Sequence, residues 1–205
     1  MKDQILTMLE MQDAVNSHVN PDWRRAGNAW YRAIWTECAE MLDHYGWKWW
    51  KHQQPDMQQV RLEIIDIWHF TMSDLLSTDK TRHYVVGHIA KELPEPEKSA
   101  DICEAIEKLA VKTLQTRAAD TRLFAGLMQA AGMSFDELFR GYIGKNVLNF
   151  FRQDHGYKDG SYIKVWHGRE DNEHLADILA DIDPALQGYA DEVYRRLEQA
   201  YAGAS

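Results

Sequence analysis

The stretch LEIIDIWHF, residues 62–70, decides the fold: it is an apolar run with two acids, Glu63 and Asp66, set into it. Each residue of a helix advances about 100° around the axis, so these two acids stand about 60° apart and share one face. Val60, Ile64, Ile65, Ile67, Trp68, Met72 and Leu75 occupy most of the remaining circumference. A helix that is apolar nearly all round is a buried helix. Ionised carboxylates in such surroundings need a partner of opposite charge.

A second acid pair lies upstream in ECAE, where Glu37 and Glu40 are three residues apart beside the stripe Trp30, Ile34, Cys38, Met41 and Tyr45. Acids at this spacing usually form a solvated surface face, and one pair alone carries little. Two pairs flanking the short loop GWKWWKHQQP, residues 46–55, carry more, because antiparallel helices would gather all four acids into one nest. Their charges would repel strongly without divalent cations between them. Ligands that offer only oxygen favour Mg²⁺, with Mn²⁺ able to take its place, over zinc or copper. Two or more such ions could clamp phosphate oxygens and activate a water, so hydrolysis of a phosphate ester or anhydride is the expected chemistry.

Helical spacing recurs along the rest of the chain, which makes the expected fold all-α. A first helix is expected from about Gln4 to Val19, and NPDW turns the chain into the second, which Gly46 ends. Asp56 with Gln59 forms a capping-box pattern at the start of the third, which fades near Ser77. LPEPEK, residues 93–98, is the expected internal hinge, with two helices after it. Ser134 with Glu137 opens another helix, to about Gln153. The loop DHGYKDGSYIKVWHGREDN, residues 154–172, is too rich in charge and aromatics to be idle, and YIKVW at 162–166 shows the only strand-like alternation.

With 205 residues, the chain is expected to form a single all-α domain over 1–205, with a helical section at about 81–133 as the part able to move. A net charge of −9 argues against a general grip on nucleic acid, which needs a basic surface. No apolar run approaches a membrane span, and the first residues carry acids too early for a secretory signal, so a cytoplasmic location is expected. Cys38 and Cys103 fit neither a disulfide framework nor a zinc site and are read as small buried residues.

An anionic substrate needs a handle, and GYIGKNVLNFFRQD offers one. Tyr142, Lys145, Asn146, Asn149 and Arg152 form a polar stripe without an acid, opposite Phe139, Ile143, Val147 and Phe151. A solvated outer face is the plainer reading of that stripe, but two cations and two amides in so acidic a chain suit an anion. On the first helix, Gln12 and Asn16 share a face and could read the edge of a base, with Trp47, Trp49 and Trp50 as an aromatic platform. Most of the eight tryptophans, and Met8, Met11 and Met41, are assigned to packing.

The segments LEMQDAVNSHVNPDW, ECAEMLDHYGWKWWKH, RLEIIDIWHF and GYIGKNVLNFFRQDHGYKDGSYIKVWHGREDN resemble the dimeric, all-α deoxyuridine triphosphatase family, over about residues 8–172. The acid pairs alone would point only to the wider all-α NTP pyrophosphohydrolase superfamily, which includes the MazG-like enzymes; the tryptophan-rich loop and the Y-x-x-K-N motif select the dUTPase branch. The resemblance implies a helical bundle of the NTP pyrophosphatase type, Mg²⁺, a homodimer, and conversion of dUTP, and also dUDP, to dUMP. It implies that Glu37, Glu40, Glu63 and Asp66 hold metal, with Glu37 orienting or deprotonating the attacking water. By the same likeness Gln12, Asn16 and Trp49 recognise uracil, and Phe70 packs on deoxyribose and crowds a 2′-hydroxyl. Lys145, Asn146, Asn149 and Arg152 face phosphates, joined by Tyr157, Lys158 and Lys164 from the loop.

Three other readings remain open on the sequence. The same machinery could act on dCTP or a broad range of nucleotides, because an amide can rotate to suit either pyrimidine edge. DIWH places Asp66 and His69 at the spacing used by ferritin-like di-iron oxidoreductases. A helical interaction protein without chemistry would leave four clustered acids without a purpose.

Overall fold

The computed structural model describes residues 1–183, 186 and 188–202. The chain divides into two compact units, Met1–Leu138 and Phe139–Ser205. In the first lie α1 (Lys2–Val19), α2 (Trp30–Tyr45), α3 (Met57–Leu76), α4 (Arg82–Glu92), α5 (Ile102–Thr116) and α6 (Thr121–Ala130). The helix α7 (Phe135–Asp154) begins in the first unit and supplies most of its length to the second. There it is followed by a hairpin of β1 (Val165–Trp166) and β2 (Arg169–Glu170), then α8 (Asp171–Asp181) and α9 (Tyr189–Tyr201). The expected all-α fold is what forms, and the alternation seen at 162–166 resolves into this one small hairpin among the described residues.

In the first unit α3 packs against α1, α2, α4 and α6, which explains why its sequence is apolar on nearly every side. Ile64, Ile67, Trp68 and Met72 are fully buried beside Met8, Ile34, Met41 and Phe124. Trp68 stacks on Phe124 with ring centroids 4.8 Å apart, and its indole N–H meets Met8 Sδ at 3.4 Å. Burying side chains of this size stabilises the unit by about 1.5–3 kcal/mol each. Three tryptophans, Trp23, Trp68 and Trp166, are buried, but Trp35, Trp47, Trp49 and Trp50 are exposed, so the assignment of most tryptophans to packing is corrected. Cys38 is buried as expected, whereas Cys103 is only half-buried.

The helix ends follow local chemistry. Gly46 closes α2 in the left-handed region at φ 84°, where a side chain would be strained. Asp56 Oδ1 accepts the backbone N–H groups of Gln58 and Gln59, capping α3. The return arm of the expected capping box is absent, because Asp56 N–H donates instead to His44 O at 2.9 Å. That bond also ties the end of α2 to the start of α3. At α7 the reciprocal box forms in full: Ser134 N–H donates to Glu137 Oε2 and Glu137 N–H to Ser134 Oγ. Hydrogen bonds tie the 93–98 segment to its neighbours. Glu97 N–H donates to Arg122 O, Arg122 Nε to Glu95 O, and Lys108 Nζ to Lys98 O. Gly126 of α6 lies so close beneath that a Cβ there would sit 2.0 Å from Glu97 O.

The second unit has its own core, built from Leu148, Phe151, Trp166, Leu175, Val193 and Leu197. Phe151 lies within 5.7 Å, centroid to centroid, of Trp166, Tyr194 and Tyr201. This cluster is why the segment after α7 is ordered without much regular structure: its aromatics are the core that the hairpin and α9 share.

Candidate active site

The pairing of residue 44 with 56 and of 37 with 66 makes α2 and α3 antiparallel neighbours. Carboxylate oxygens of Glu37, Glu63 and Asp66 consequently lie within 4.8 Å of one another. Glu40 is exposed one turn along α2 and stands outside this trio, close enough for its charge to act on Glu37. His44 Nε2 is 3.5 Å from Glu63 Oε1. Burial pushes the Glu37 carboxyl up to about 9, aided by the charge of Asp66, a hydrogen bond with Glu63, and the charges of Glu63 and Glu40. Such an arrangement is unfavourable without positive charge.

These donors fit a hard divalent cation, since all are carboxylate oxygens and they already converge. Cys38, the nearest soft donor in sequence, is held as a thiol by burial and by the Glu37 charge, with its pKa pushed up to about 12. His69, the histidine of the DIWH pattern, commits its Nδ1 to Gln12 Oε1 at 2.7 Å.

Further along the same face of α3, four polar side chains meet. Gln12 Nε2 donates to Asn16 Oδ1 and to Ser73 Oγ, both at 3.0 Å, and Asn16 Nδ2 donates to Ser73 Oγ at 2.9 Å. Ser73 Oγ donates in turn to His69 O at 2.9 Å. Gln12, His69 and Ser73 are buried, while Asn16 is half-buried. Phe70 is half-buried and stacks on Trp30 at 6.3 Å. Trp49 is 89% exposed, touching Trp50 edge to face, so it is not packed into this group.

In the second unit the polar stripe of α7 is not a solvated face. Tyr142, Lys145 and Asn146 are buried, and Asn149 and Arg152 are half-buried. Asn146 Nδ2 donates to Tyr142 Oη, and Lys145 Nζ donates to Asn172 Oδ1 at 2.9 Å. Arg152 clasps Asp171 through two hydrogen bonds and reaches Asn149 Oδ1 at 3.4 Å. Tyr162 Oη donates to the same carboxylate at 2.9 Å. Tyr157 is exposed beneath the Arg152 guanidinium, 5.9 Å from its centroid, and Lys158 and Lys164 are exposed, the latter paired with Glu170 at 2.9 Å.

Sequence reasoning missed Ser73, His44, Asp171 and Asn172. Ser73 could have been found, because it continues the face of Asp66 and His69 by one further turn. Asp171 sits in a charged run with no periodic signal, and only the fold shows it to be buried.

Carboxylates on two neighbouring helices, in a scaffold whose described residues are mostly helical, define an all-α protein with a candidate site for a divalent metal. A family profile described as dUTPase matches residues 4–157. The chain belongs to this all-α dUTPase family and is thereby a hydrolase, a dUTP diphosphatase. Enzymes of the family need a divalent metal, which the acid trio is suited to hold. No curated protein matched the chain. No helix among the described residues is long and apolar enough to cross a membrane.

Proposed function

We propose that the protein converts dUTP to dUMP and pyrophosphate with Mg²⁺, accepts dUDP as a second substrate, and works as a cytoplasmic homodimer that binds no nucleic acid. This would keep uracil out of DNA and supply dUMP. The observation that carries the reading is the convergence of Glu37, Glu63 and Asp66, with the Gln12 and Asn16 amides of α1 gathered on Ser73, two turns beyond Asp66 on α3. Glu63, Asp66 and Glu40 are the proposed metal ligands together with Glu37, for two or more ions. Mg²⁺ when bound supplies a water of lowered pKa and draws charge from phosphate oxygens.

The chain's own groups do the rest. Burial and its acidic neighbours raise the Glu37 pKa, so positive charge in the nest would favour its ionised form. Its role as acceptor of a proton from the attacking water is therefore tied to metal loading. His44 beside Glu63 steadies that carboxylate. Gln12, Asn16 and Trp49 are the proposed contacts to uracil, and Phe70, braced by Trp30, is the proposed neighbour of the deoxyribose. Lys145, Asn146, Asn149 and Arg152, with Tyr157, Lys158 and Lys164, are proposed to hold the phosphates through charge-assisted hydrogen bonds.

Pyrophosphate release measured across dUTP, dCTP, dTTP and UTP with Mg²⁺ tests this reading. Strong preference for dUTP is the expected result. Equal turnover of dCTP would replace it with a broader nucleotide pyrophosphohydrolase.

A further inference from the structure

A serine hydroxyl has one hydrogen to give and two lone pairs to receive. Ser73 spends its hydrogen on the His69 carbonyl, one turn back on α3. Its oxygen can then only accept, and it receives Gln12 Nε2 at 3.0 Å and Asn16 Nδ2 at 2.9 Å. Both amides must therefore turn their NH₂ groups towards Ser73. With that settled, Gln12 Oε1 faces His69 Nδ1 at 2.7 Å, and since an amide oxygen never donates, Nδ1 carries the proton. Turning either amide over would set its carbonyl oxygen against an oxygen whose hydrogen is already used. Ser73 is completely buried, so no solvent would relieve that conflict.

We propose that Ser73 is the specificity-determining residue of the base site, selecting uracil over cytosine by locking the Asn16 and Gln12 amides in one orientation. The inference rests on the reading of these amides as the base contacts. Uracil offers an acceptor at its 4-position and a donor at N3, whereas cytosine offers a donor at the 4-position and an acceptor at N3. A rotatable amide satisfies either edge; an amide held in one orientation satisfies one. The half-buried Asn16 has one amide hydrogen and one Oδ1 lone pair beyond its bonds to Ser73 and Gln12, which is the donor–acceptor pair such an edge requires. Ser73 acts through Asn16 and is a positioning residue, not a group that touches the base.

The test compares binding of dUMP and dCMP by calorimetry, and kcat/KM for dUTP and dCTP, in Ser73→Ala, Ser73→Cys and Asn16→Ala. Ser73→Cys keeps the side-chain shape while offering a weak acceptor, and so serves if the alanine variant folds poorly. Both Ser73 variants should shift the uracil-to-cytosine ratio towards cytosine by on the order of tenfold or more, the scale of one unmade buried hydrogen bond. A role in folding alone would lower both affinities and leave their ratio unchanged. An unchanged ratio in the Ser73 variants, with the ratio altered in Asn16→Ala, overturns the lock but keeps the base reading. An unchanged ratio in Asn16→Ala overturns both.

Discussion

Arg152 and Asp171 form a two-pronged ion pair, Nε to Oδ2 at 2.8 Å and Nη2 to Oδ1 at 2.9 Å, around a carboxylate with no exposed surface. Tyr162 Oη closes a third side of that carboxylate, and the charge of Lys145 bears on it as well. Burial alone would raise the Asp171 pKa, but the hydrogen bonds and charge of Arg152, the Tyr162 hydroxyl and Lys145 hold it below the ordinary carboxylate range. Asp171 thus fixes the guanidinium that the proposed phosphate site depends on.

Replacing Asp171 by Asn keeps the shape and removes the charge, leaving Arg152 without its counterion. Breaking a buried pair in this way costs about 3 kcal/mol. Urea denaturation at pH 7 should show that loss. A lowered pKa contributes stability that is present above the unfolded carboxylate value, ~3.9, and is lost as pH falls through the folded value. The gap between the parent and Asp171→Asn should therefore hold from neutral pH to about 5 and shrink below about 4.

Glu37 has the opposite sign. Glu37, with its pKa pushed up to about 9, contributes stability that is fully present below the unfolded value, ~4.3, and is lost as pH rises towards about 9. In EDTA the melting temperature should fall across that window, and Mg²⁺ should reverse the fall. Glu63→Gln or Asp66→Asn should flatten the slope while reducing turnover by on the order of a hundredfold. Near-parental turnover in both would remove the trio from the chemistry.

Phe70 stacks on Trp30 at 6.3 Å and is proposed to crowd a 2′-hydroxyl. Phe70→Ala should narrow the preference for dUTP over UTP, because the clash that rejects ribose is lost. Loss of the ring pair should lower stability by about 0.5–1.5 kcal/mol beyond the area exposed. Stability loss with an unchanged ratio of kcat/KM would assign Phe70 to packing alone.

Lys145 is only 1% exposed and donates to Asn172 Oδ1 at 2.9 Å. Lys145→Met retains the buried stem and removes the charge. Binding of a non-hydrolysable dUTP analogue should weaken by roughly 1.5–3 kcal/mol, the range for hydrogen bonds to charged groups, and dUMP should be affected much less. Equal losses for the two ligands would mean that Lys145 shapes the site without meeting the phosphates that leave.

The helices around the trio were legible because local rules and burial agreed. The apolar circumference of α3, the stop at Gly46 and the box at Ser134 held as expected, and at Asp56 the side-chain cap formed while its N–H went to His44 O. The tryptophans were misread because composition says nothing of which side of a loop faces solvent; Trp47, Trp49 and Trp50 pack on one another's edges outside the core. Ser73 and Asp171 were invisible for a different reason. A serine in a helix and an acid in a charged run take their meaning from partners 57 and 61 positions away for the one, and 19 for the other. The polar stripe of α7 was read from its spacing, but the burial of Tyr142, Lys145 and Asn146 within it depends on the fold and not on spacing.

The contact beneath the proline segment sets a limit on drift. Every side chain larger than hydrogen at position 126 begins with a Cβ, and there that atom would overlap the Glu97 carbonyl, which belongs to backbone and cannot rotate away. Position 126 is closed to substitution one at a time. A lineage could leave glycine there only after first lengthening or re-routing residues 94–97, so the two segments are bound to change together, and a recombinant joining α6 of one relative to the proline segment of another would inherit the collision.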